Sequence, residues 1–96
     1  MSMTQPTRAE EIGQRIRTAR KRQGMSQVQL SEAMAAKSGM EPETVRRSLV
    51  NNETGKHAPR LQTLELIAQI TEQPLEFFVG APEVEPDPDR FQNQAA

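Results

Sequence analysis

An all-α fold follows from three observations. No segment alternates apolar and polar residues with period two, so no strand is predicted. Apolar residues recur instead at the three-and-four spacing of a helix face, as in Ile12, Ile16, Ala19 and in Leu64, Ile67, Ala68. Two helix starts are written as capping boxes, Thr7 with Glu10 and Ser26 with Gln29. Five helices within residues 7–80 are expected, flanked by a disordered stretch at 1–6 and a flexible tail at 81–96.

The first helix starts at Thr7 and ends at Gly24, with Ile12, Ile16 and Ala19 inward. Arg15, Arg17, Arg20, Lys21 and Arg22 crowd toward its C-terminal end, where the helix dipole favours cations. A solvated face explains Arg15 and Arg17. Arg20 to Arg22 lie beside the next helix start, where a phosphate role is an equal alternative. Ser26 caps the second helix, and Met25 with Leu30 forms a hydrophobic staple. Leu30, Ala33 and Met34 are expected to face inward, and Gly39 to stop the helix.

The third helix begins near Pro42, a residue suited to the first helical position. Val45 and Leu49 face inward, and Arg46, Arg47, Ser48, Val50 and Asn51 spread over the other faces. Such a helix is poor at making a core and well shaped for a groove. The loop after it carries Lys56, His57 and Arg60, three potential phosphate donors. The fourth helix spans 61–71 on a stripe of Leu61, Leu64, Ile67, Ala68 and Ile70. Pro74 opens a last short helix with Leu75, Phe77, Phe78 and Val79, stopped by Gly80.

The chain has 96 residues, enough for one small domain. Its formal charge is −1, but residues 81–96 hold four acids and one arginine, so residues 1–80 carry eleven bases against nine acids. The bases cluster at 15–22 and 46–60, and clustering sets the local field more than the total does. Scattered surface charge is the plainer alternative. Without cysteine there is no disulfide or thiolate chemistry, and one histidine makes no metal site. No glycine-rich phosphate loop and no paired carboxylates support an enzyme, so no cofactor or catalytic residue is expected. No apolar run suits a membrane span and the N-terminus lacks a signal peptide, so a cytoplasmic protein is expected. Glu83, Glu85, Asp87 and Asp89 with three prolines leave 81–96 too polar to order itself. Solubility, a protein partner, or competition with DNA for the basic face are the alternatives for that tail.

The ordered set of motifs resembles a known family. Ser26-Gln27 opens a Leu-containing helix, Gly39-Met40 makes the turn, and Thr44-Val45 lies in the next helix. Glu53-x-Gly55-Lys56-x-x-Pro59 and Leu64-x-x-Ile67-Ala68 follow. Over residues 12–79 this resembles the helix-turn-helix domains of phage repressors and Cro, the XRE family. The spacings from Ser26 to Gly39 and from Gly39 to Gly55 are each longer than usual by about one helical turn. The second extension is similar to a subset that includes restriction–modification controller proteins. Asn52 stands where the family carries a large apolar residue.

The resemblance implies a five-helix, lambda-repressor-like regulator of transcription, most simply a repressor, reading a palindromic operator through a recognition helix at 42–53. Base edges would be met by Thr44, Arg46, Arg47, Ser48 and Asn51. Arginine pairs with guanine and asparagine with adenine, each through two bonds. Arg46 and Arg47 diverge by about 100°, so one is expected to read and one to hold a phosphate or a carboxylate. Arg22, Ser26, Gln27, Lys56, His57 and Arg60 would hold the DNA backbone. A homodimer is implied, with Leu75, Phe77, Phe78 and Val79 as its interface; Leu75 and Phe78 serve equally well to finish the core. The competing reading is a protein-interaction module of the same fold, an antitoxin or adaptor acting through its acidic tail.

Overall fold

The computed structural model describes residues 5–79, and the expectations for 1–4 and 80–96 lie outside the described residues. Five helices follow one another: α1 Arg8–Arg22, α2 Gln27–Ser38, α3 Pro42–Thr54, α4 Leu61–Thr71 and α5 Leu75–Val79. Among the described residues there is no strand.

The local signals act as their chemistry requires. Thr7 Oγ1 accepts from the Glu10 amide at 3.0 Å, and the Thr7 amide donates back to Glu10 Oε1 at 2.9 Å. Ser26 and Gln29 close the second box at 3.0 and 2.8 Å. Glu41 caps α3 by accepting from the Thr44 amide at 3.3 Å, with Pro42 at the first helical position. Gly39 and Gly55 end α2 and α3 at φ 78° and 84°, a conformation that costs other residues energy.

The core is aliphatic and gathers Ile12, Ile16, Ala19, Leu30, Met34, Ala35, Val45, Leu49, Leu64, Ile67, Ala68 and Phe78. Three expectations are corrected. Ala33 is only half-buried, because α2 turns a face built on Leu30, Ser31, Met34 and Ala35 inward. Leu61 is 58 % exposed; it sits on the stripe of Leu64 and Ala68 but at the first residue of α4, where that stripe leaves the core. Phe78 is completely buried and stacks edge-on with Phe77, so it completes the core and offers nothing to an interface. Leu75, Phe77 and Val79 are half-buried and pack against the same core.

α1 lies between α3 and α5. On its α3 side Gly13 lets the two backbones meet: a Cβ there would run into the carbonyl oxygens of Asn52 and Glu53. On its α5 side the Arg8 guanidinium donates to the Val79 carbonyl, and just past its end Gln23 Nε2 donates to the Thr71 carbonyl at the end of α4, at 3.1 Å. A five-residue helix is too short to hold itself. The Arg8 side chain and the burial of Phe78 hold it.

Candidate nucleic-acid interface

α3 divides into two sides. Val45, Leu49, Asn52 and Glu53 are buried. Thr44, Arg47 and Ser48 are exposed, and Arg46 and Asn51 are half-buried. Thr44, Arg47 and Asn51 lie at spacings of three and four, so they share one face. Ser48 flanks that face on one side and Arg46 on the other, as about 100° per residue dictates. The structure thus keeps the five base-edge candidates at the surface. Two of them have partners. Arg46 Nη2 donates to Glu43 Oε2 at 2.8 Å, one turn away on the same helix. That hydrogen bond, then the charge of Arg46, holds the Glu43 carboxyl below its ordinary range, with Arg47 contributing. Thr44 Oγ1 lies 3.5 Å from the capping carboxylate of Glu41.

Behind this face a buried carboxylate joins three elements. Arg20 Nε donates to Glu53 Oε2 at 2.7 Å, and Arg20 Nη2 to Glu53 Oε1 at 3.0 Å. Arg20 Nη1 also donates to the Met25 carbonyl at 3.0 Å. Gln27 Nε2 donates to Glu53 Oε1 at 2.9 Å. Both charged residues are buried, Arg20 8 % and Glu53 2 % exposed. The planar guanidinium meets the carboxylate with two bonds, the geometry that best offsets desolvation. The network therefore fixes the end of α1, the start of α2 and the end of α3 together. The sequence left Arg20 between a solvated face and a phosphate role, and gave Glu53, at the end of the expected 42–53 helix, no buried partner. The helical spacing carried the contrary signal: Arg20 is four residues after Ile16, and Glu53 four after Leu49, both on inward faces.

The backbone-contact set separates. Lys56, His57 and Arg60 are exposed just past α3. Their loop hangs from the end of α3. The amides of Lys56 and His57 donate to the Asn51 carbonyl at 3.0 and 3.3 Å, and Asn52 Nδ2 donates to the His57 carbonyl at 2.9 Å. Asn52 therefore replaces an apolar anchor with a polar one. Its Oδ1 is buried without a hydrogen-bond partner among the described residues. The Gln27 side chain is committed to Glu53, and the Ser26 hydroxyl oxygen accepts within its capping box. Arg22 is displaced from the expected role. Its guanidinium carbon lies 5.2 Å from the centre of the Phe77 ring, toward α5 and off the α3 side of the molecule.

α1, α2 and α3 each receive a side-chain cap, while α4 begins at Arg60 without one. Among the described residues no three His, Cys, Asp or Glu side chains group as metal ligands, and no helix is long and apolar enough to cross a membrane. Neither a family model, nor a curated protein, nor a solved structure matches the chain.

Proposed function

We propose that the protein is a sequence-specific, duplex-DNA-binding regulator with a lambda-repressor-like helix-turn-helix fold. In this reading α3 enters the major groove and α2 crosses the backbone. Arg47, Ser48 and Asn51 meet base edges, and Thr44 lies at their margin. The bond of Arg46 to Glu43 supports its being the arginine held by a carboxylate. Arg47, with no such bond, is the reader. Lys56, His57 and Arg60 hold phosphates, helped by the uncapped first amides of α4.

The observation that carries this reading is the continuity of two surfaces. The bare polar face of α3 runs into a loop whose cations have no salt bridge among the described residues. A solvated helix has no need of a buried three-element brace behind it, whereas base readout requires a rigidly placed helix.

One such module reads only a few base pairs. Two copies related by a two-fold axis would read a palindrome with half-sites about 34 Å apart. The half-buried Phe77 and Val79, with the exposed Leu61 of α4, supply apolar surface for that pairing. Selection of bound duplexes from a random pool tests the proposal. Enrichment of one inverted repeat is the expected result. Recovery of unselected sequence at low salt, or of no duplex at all, defeats it.

A further inference from the structure

We propose that the acidic segment from Glu83 to Asp89 docks on the cationic loop and α3 face of its own chain, at Arg47, Lys56 and Arg60. Docking itself needs only the charges; its effect on DNA rests on the function proposed above.

The charges are complementary and both sides are concentrated. Four acids fall within seven residues, Glu83, Glu85, Asp87 and Asp89, with prolines at 86 and 88 between them. Proline at these positions favours an extended backbone, which spreads the carboxylates along a line instead of folding them together. Arg47, Lys56 and Arg60 make no salt bridge with any described residue.

The last described residue fixes the root of the segment. The Val79 carbonyl is held by Arg8 in the first turn of α1. Two residues on, Glu10 packs against the end of α3: a Cβ built on Gly55 would stand 2.8 Å from Glu10 Cα. The root of the segment and the loop that begins at Lys56 thus lie on either side of one helix, about 10–12 Å in diameter. Glu83 follows Val79 by four residues and Asp89 by ten, a span of about 13 to 35 Å when extended. The acids therefore reach the loop without strain, and a tether this short keeps them at millimolar effective concentration.

A nearer basic flank is less suitable. On the α5 side of α1, Arg8 is bonded to the Val79 carbonyl and Arg22 lies over Phe77. Arg17, on the α3 side, is 3.9 Å from Glu53 and so already faces a carboxylate. Lys56 and Arg60, at the end of α3, form no ion pair among the described residues.

A carboxylate string on these cations occupies the place of DNA phosphates. It costs random DNA more than an operator, because the operator adds base contacts that the string cannot imitate. The segment would then raise specificity without touching a base.

The test compares the full chain with a variant carrying E83Q, E85Q, D87N and D89N together. Without DNA, at about 20 mM salt, amide NMR shifts should differ between the two at residue 47 and residues 56–60, and the differences should vanish near 300 mM, where charges beyond about 5 Å are screened. With a random-sequence duplex at low salt, the variant should bind about three- to tenfold tighter, the size a few exposed ion pairs can carry, and the gap should close as salt rises. No shift differences at 47 and 56–60, or differences confined to the Arg8, Arg15 and Arg22 flank, overturns the docking. Equal DNA affinity of the two chains overturns the competition. If the NMR differences appear and neither chain binds any duplex, the docking is supported and only the DNA reading falls.

Discussion

Glu53 accepts three hydrogen bonds on one buried carboxylate, two from Arg20 and one from Gln27. Removing its charge alone strands the Arg20 guanidinium. Glu53→Gln is therefore expected to lower stability by about 3–5 kcal/mol, read by denaturant unfolding. Replacing both partners, Arg20→Met with Glu53→Leu, should cost far less, because no lone charge is then buried. Similar losses for the single and double variants would show that packing, not charge, explains the site. On the outer face, Arg47→Ala and Asn51→Ala should each cost about 1–3 kcal/mol of discrimination between operator and mutated site. Lys56→Ala should weaken all sequences alike and reduce the salt slope by about one. Uniform loss for all three changes would remove the assigned division between reading and holding. Glu43 belongs to the same face. Its carboxyl is held below the ordinary 4.5 by Arg46, so the pair is complete above that pH and is lost as acid drives pH through the lowered value. DNA binding measured from neutral pH to about pH 5 should accordingly show no change traceable to Glu43.

At the scale of the element, what could be read in advance depended on distance along the chain. Caps act within four residues, and Thr7-Glu10, Ser26-Gln29, Gly39 and Pro42 were legible for that reason. The stripe in α4 was legible except at its first residue, where Leu61 outruns the core. Contacts between helices were not legible. Gly13 gives no periodic signal, yet it sets how closely α1 approaches α3. Gly13→Ala should cost about 1–3 kcal/mol or more, since the neighbours a methyl would meet are backbone and cannot rotate away. A neutral Gly13→Ala in thermal unfolding would mean that α1 can shift outward freely. The roles within the basic run of α1 stayed open for the same reason. Spacing from Ile16 puts Arg20 on the inward face, but only the fold reveals that its partner is Glu53 and that Arg8 and Arg22 hold α5.

Across the fold, three large apolar side chains are exposed among the described residues, Val28, Met40 and Leu61, and none of them is on α5. The expected α5 interface therefore shrinks to the edges of Leu75, Phe77 and Val79. A stable dimer needs roughly 1,000 Å² or more of buried surface, so the pairing proposed above calls on α4 as well. Leu61→Glu is expected to shift the chain to monomer in light scattering while leaving its melting temperature within about 2 °C, because the residue packs nothing at home. An unchanged mass would place the contact elsewhere. Thr44, Arg47 and Ser48 are exposed and Asn51 is half-buried, whereas Asn52 and Glu53, next in sequence, are sealed into the core. That boundary makes the four outward positions a replaceable alphabet on a fixed page. New letters at 44, 47, 48 and 51 should retarget the protein to other operators without a stability penalty, and the grip of the loop that Asn52 suspends should survive every respelling.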